Sequence, residues 1–283
     1  MSQIKLVAID IDGTLLNSAG KITSRTKSTV QAVADLGIQI VISTGRRFST
    51  AKEKVEPLEI QNLSFSCHNG IILKQFNGQV LYHRLLDPQL ARSIVAFAKS
   101  IGCYPIVFES LEDYTRIFVE PFTTEISSQP DPQTIAYLQE SEPFTVFVDD
   151  LSQGLEGQII EVICIIPSWQ MADISQTFVD RFGSSIKTII ATVVDPSRGF
   201  FSVTNPEAGK SGPLQFIAQQ IGINKSAILA IGDNYNDLEM LQYAGTGILM
   251  GNAHPDLQRM GFEPTATNDQ DGLAQALEKH LLS

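Results

Sequence analysis

Apolar residues in this chain fall into short unbroken runs more often than into long stripes. IKLVAI at residues 4–9, IQIVIS at 38–43, AILAIG at 227–232 and TGILMG at 246–251 are four of them. Runs of that length without polar alternation suit strands covered on both faces, as in a parallel sheet between helix layers. Between the first two, apolar positions recur at helical spacing from Thr23 to Leu36 and stop at Gly37. Helical patterns return at 211–221 and 236–245, each ended by glycine. Strand alternates with helix at both ends of the chain, which predicts an α/β fold with a Rossmann-like, doubly wound parallel-sheet core.

The middle has another rhythm. Helical patterns run from Pro88 to Ile101 and from Trp169 to Phe182, with a shorter one near Pro132 to Gln139. Among them lie YPIVFE, TRIFVE, FTVFV, IIEVICII and IKTIIATVV, several alternating polar with apolar residues. Alternation predicts an antiparallel sheet with one covered face. The expected organisation is therefore a core of residues 1–83, an inserted α+β domain of 84–197, and a return to the core at 198–283.

Composition narrows the function. Lysine and arginine number 20 against 31 acids, a net charge of −11, with no basic block. Such a chain repels polyanions, so no nucleic acid is expected as a partner. No run reaches the length of a membrane span, so no membrane partner is expected either. Cys67, Cys103 and Cys164 have neither zinc spacing nor an even disulfide count, which suits a reducing, cytoplasmic setting.

Polar clusters interrupt the pattern where strands are expected to end: DIDGT (10–14), STGR (43–46), GKS (209–211) and GDNYND (232–237). In open α/β sheets the ligand crevice lies at those carboxyl ends. Asp10 and Asp12, two apart, face the same side in extended backbone and call for a cation or a shared proton. Gly13 permits a sharp turn there. Taken alone, each cluster has a plainer reading: a turn at Asp-Gly, or a capped helix after Asp233. GKS also resembles half of a P-loop. The first glycine of that motif would fall at 204, which is Thr204, and Pro206 and Glu207 stiffen and charge the would-be cradle.

In this order the clusters resemble the motifs of the haloacid dehalogenase-like hydrolase superfamily. CHNGIIL (67–73) and LMGNA (249–253) are similar to elements of its Cof-type branch, whose α+β cap is inserted between the second and third motifs. The resemblance implies phosphoryl transfer through an aspartyl-phosphate. Asp10 would be the nucleophile, and Asp12 the acid that protonates the leaving group and then the base that activates water. Thr44, Gly45 and Lys210 would bind the phosphoryl group. Thr44 is preferred to Ser43 because the family's hydroxyl directly precedes Gly-Arg. Asp10, Asp233 and the main-chain carbonyl of Asp12 would hold Mg²⁺. Asp237, one helical turn on, would assist from behind; Arg46, Asn69 and Asn236 would line the crevice or meet substrate.

The implied activity is hydrolysis of small phosphate esters, sugar phosphates first. A phosphomutase and a catalytically idle binding module remain alternatives at this stage. None of His68, His83, His254 and His280 stands in a catalytic constellation. The aromatics Tyr104, Phe108, Tyr114 and Phe118 fit a domain core better than a stacking site. The sequence names neither the substrate nor the oligomeric state.

Overall fold

The computed structural model describes residues 4–111, 116–121, 135, 138, 139, 142–192 and 198–283. Strand β1 (Leu6–Ile9) explains its own unbroken apolar run. Val7 and Ile9 enter one hydrophobic cluster, while Leu6 and Ala8 enter another. Successive side chains of a strand point to opposite faces, so a strand packed on both needs apolar residues throughout. The helix Ser24–Asp35 follows, capped by the Thr23 hydroxyl on the Thr26 amide, and sends Val30 and Val33 into the first cluster. Then come β2 (Gln39–Ser43), the helix Phe48–Val55, β3 (Leu63–Cys67), β4 (Ile72–Gln75) and β5 (Val80–His83).

Two compact units result: the residues up to His83 with Gly209–Ser283, and Arg84–Ala208. The second contains the helix Pro88–Ser100, β6 (Pro105–Glu109), β7 (Arg116–Val119), β8 (Thr145–Phe147), β9 (Ile159–Pro167), the helix Met171–Phe182, β10 (Lys187–Thr192) and β11 (Arg198–Thr204). Its sheet runs β10-β11-β9-β6-β7-β8. Both helices pack on one face, over Val107, Val162, Cys164, Phe201 and Val203. The sequence expectation differs in two respects. First, β7 and β8 pair in parallel, whereas alternation suggested antiparallel pairing throughout. A period of two gives facing, not direction. Second, β11 pairs with β9 and β10, so this unit extends beyond 197. Spacing along the chain carries no signal for which sheet the strand at 198–204 joins. Tyr104 and Phe108 are buried, and Tyr104 donates to the Glu120 carbonyl at 2.6 Å. Phe118 packs on the cluster under the helices. Tyr114 and most of the Pro132–Gln139 helix lie outside the described residues.

The chain then forms the helix Ser211–Ile221, β12 (Ile228–Gly232), the helix Leu238–Tyr243, β13 (Thr246–Leu249), β14 (Glu263–Pro264) and the helix Gly272–Leu277. The first sheet runs β14-β13-β12-β1-β2-β3-β4-β5 among the described residues. Pairing is parallel from β14 to β3 and antiparallel at the β4–β5 edge. Leu214, Ile217 and Ala218 cover one face, while Val30, Val33, Leu273 and Leu277 cover the other. Helices on both faces make the core doubly wound. Each fully buried aliphatic side chain here contributes about 1.5–3 kcal/mol.

Candidate active site

Because β1 lies between β12 and β2, three neighbouring strands deliver their following loops to one place. Asp10 follows β1, Thr44 follows β2 and Asp233 follows β12. Lys210, at the head of the helix Ser211–Ile221, is buried with them. Its ammonium lies 2.7 Å from Asp10 Oδ1 and 2.5 Å from Asp237 Oδ1. Asp237 is the hub. Its other oxygen accepts the Asp233 and Asn234 amides, both at 3.0 Å. Asp237 thus fixes the turn that presents Asp233 and also holds the lysine. Sequence reading placed it in support of the cation; both its oxygens are occupied by hydrogen bonds.

Burial and charge set the electrostatics. Desolvation, reinforced by the Asp237 carboxylate and only partly offset by Lys210, raises the Asp10 carboxyl well above its usual range. Asp233 is pushed up to about 7, by burial first and by Asp237 next. Burial alone would lower Lys210, but Asp10 and Asp237 outweigh it and keep the ammonium charged. Acids this close, sharing one cation, are a frustrated arrangement that further positive charge would relieve.

The residues present fit a hard cation. Asp10, Asp233 and Asp237 offer oxygens within 4.8 Å of one another. Asp233 Oδ1 is buried with no hydrogen-bond partner among the described residues. With two oxygens of Asp237 committed, Asp10 and Asp233 are the carboxylates left for a metal, an oxygen donor set of the kind magnesium takes. Gly13 makes the approach of the two loops possible. It has φ +82°, and a Cβ there would run into the Asp233 carboxylate.

The remaining expected residues gather in the same unit. Asp12 is half exposed, and both its oxygens accept from Arg46, at 2.7 Å (Nε) and 2.6 Å (Nη2). Arg46 therefore meets Asp12, a partner the sequence did not suggest. Thr44 Oγ1 accepts the Arg46 amide at 3.1 Å, while Ser43 lies inside the sheet in register with Ser66. The CHNG segment docks on this loop: the Asn69 amide donates to the Thr44 carbonyl at 2.9 Å and the His68 amide to the Arg46 carbonyl at 3.1 Å. Asn69 Oδ1 accepts Asn236 Nδ2 at 2.9 Å and lies 3.1 Å from where a Gly45 Cβ would be. His68, Asn69 and Gly70 all have positive φ (50°, 54° and 88°), which glycine and asparagine adopt readily but which at His68 is strain of a kind that collects at functional sites. Asn-Gly signals a turn in the sequence; the strained His68 ahead of it has no such signal.

Residues 7–277 match the haloacid dehalogenase-like hydrolases. The chain belongs to that family. Among its relatives, phosphatase YwpJ of Bacillus subtilis is 28% identical, covering 99% of this chain and all of that one. The 5-amino-6-(5-phospho-D-ribitylamino)uracil phosphatase YitU of the same organism is 24% identical, covering 97% of each. Among solved structures, the subclass IIB sugar phosphatase BT4131 superposes with a TM-score of 0.76 at 22% identity, covering 97% of this chain and 98% of that one. The chain is an enzyme of this superfamily, of the phosphatase kind for which these relatives are named. No helix among the described residues is long and apolar enough to cross a membrane.

Proposed function

We propose that this haloacid dehalogenase-like hydrolase is a magnesium-dependent phosphatase of small phosphorylated metabolites, with sugar phosphates the first class to test. The observation that carries this is the buried Asp10–Lys210–Asp237 array with Asp233 beside it. Asp10 attacks phosphorus and forms an aspartyl-phosphate, so one difficult displacement becomes two easier ones. Asp12, exposed at the rim, protonates the departing oxygen and then takes a proton from the attacking water. Thr44, the Gly45 loop and Lys210 hold the phosphoryl oxygens, the positioning that dominates phosphoryl transfer. Mg²⁺, when bound by Asp10, Asp233 and the main-chain carbonyl of Asp12, supplies the positive charge that lets a carboxylate approach a phosphate. Asn69, Asn236 and Arg46 frame the loops around that centre.

The sugar phosphatase name of one structural relative and the phosphorylated ribityl substrate named for another support a sugar-like alcohol as the leaving group. Three free, buried cysteines support placement in a reducing cytoplasm.

Phosphate release from p-nitrophenyl phosphate and a metabolite panel, with Mg²⁺ and with EDTA, tests the reading. Release should require Mg²⁺ and favour sugar phosphates. Full activity in EDTA would contradict it, and so would conversion of one sugar phosphate isomer into another without free phosphate.

A further inference from the structure

We propose that Asn252 is a positioning residue that orients Asp233 for cation binding; this rests on the reading of Asp233 as a magnesium ligand. Asn252 lies in the loop after β13, the neighbour of β12 in the sheet. Its side-chain amide donates to Asp233 Oδ2 at 3.2 Å and to the Gly13 carbonyl at 2.9 Å. Its carbonyl oxygen accepts the Asn268 amide at 3.0 Å, and Asn268 Nδ2 in turn donates to the Leu16 carbonyl at 2.9 Å. One side chain thus ties the acidic loop after β1 to the acidic loop after β12, and is itself anchored to the C-terminal segment.

An asparagine amide offers two donors on its nitrogen and an acceptor on its oxygen, and here both donors and the oxygen are engaged. The consequence falls on Asp233. Its Oδ2 is held by the Asn252 donor, and the missing side chain of Gly13 leaves the carboxylate room there. Rotation of the carboxylate would break that hydrogen bond. Oδ1, buried and without a hydrogen-bond partner among the described residues, is then the oxygen presented to a metal. Groups that orient metal ligands in this way typically change metal affinity about 10- to 100-fold when removed. The anchor is reinforced beyond Asn268: Asp269 accepts the Ser18 amide and hydroxyl at 2.8 and 2.7 Å, so the 268–269 turn grips the stretch just past DIDGTLL. Asn252 is exposed at the surface, so its removal opens no cavity in the core.

Titration calorimetry with MgCl₂ alone, on wild type, Asn252→Ala and the similarly shaped Asn252→Leu, provides the test. Melting temperatures in EDTA accompany it. Both variants should melt near wild type in EDTA yet bind Mg²⁺ about 10- to 100-fold more weakly, and gain correspondingly less thermal stability from it. Wild-type Mg²⁺ affinity in both folded variants would overturn the role of Asn252. Absence of Mg²⁺ binding in wild type itself would instead remove Asp233 as a ligand, a failure of the underlying reading and visible as such.

Discussion

At the residue scale the site is held against its own repulsion. Asp233 has a carboxyl raised from its usual 3.8 to about 7, because it is buried beside another acid. A carboxylate whose folded value is raised binds protons more tightly in the folded than in the unfolded state. Its ionisation cost is absent below about pH 4, grows between there and about pH 7, and is fully present above. Metal-free wild type should therefore lose stability relative to Asp233→Asn as pH rises through that window. Differential scanning calorimetry in EDTA should show the variant melting higher than wild type above about pH 7. Mg²⁺ should reverse the order, because only wild type has the carboxylate, and the Mg²⁺ gain of wild type should shrink below about pH 7 as Asp233 protonates. Equal melting curves for the two proteins at every pH would contradict this account of Asp233.

At the element scale the loops after the strands carry the site, and the strained His68–Gly70 segment braces them. Gly70 has φ +88°, and a Cβ there would strike the Gly209 carbonyl, one residue before Lys210. Gly70→Ala should cost about 1–3 kcal/mol of stability from backbone strain and lower turnover of p-nitrophenyl phosphate by displacing the lysine. Unchanged melting temperature and turnover would show that the segment is only a connector. The sequence made the core legible where burial on two faces forces unbroken apolar runs, as in β1, β2 and β12. Strands β3 to β5 are not legible because LSFSC and VLYH are short, and serine and histidine break up their apolar runs. The unit to which β11 belongs is not legible in the sequence, because its partners, β9 and β10, are set by tertiary pairing.

At the scale of the whole molecule, residues 200 positions apart in sequence meet: Asp10 and Lys210, both in the first unit, are joined by a 2.7 Å ion pair. Ordered motifs announced which residues would gather, since carboxylates and a hydroxyl at strand ends with a lysine at a helix head have few other uses. Contact partners were not announced. Arg46 on Asp12, Asp237 on Lys210 and Asn252 on Asp233 depend on loop conformations that spacing does not determine. LMGNA signalled the loop that bears Asn252 without saying what it holds. The C-terminal segment, reached through Asn268, belongs to the frame of the acidic centre as much as the N-terminal motif does.

The central claim is that Asp10 becomes covalently phosphorylated. Rapid acid quench of Asp12→Asn during turnover of p-nitrophenyl phosphate, whose leaving group departs without a proton from Asp12, with Mg²⁺ and followed by peptide mass spectrometry, measures it directly. With the base that activates water removed, phosphate should accumulate on the peptide containing Asp10 and disappear in the Asp10→Asn, Asp12→Asn double variant. No phosphopeptide, together with wild-type phosphate release by Asp10→Asn, would contradict the claim.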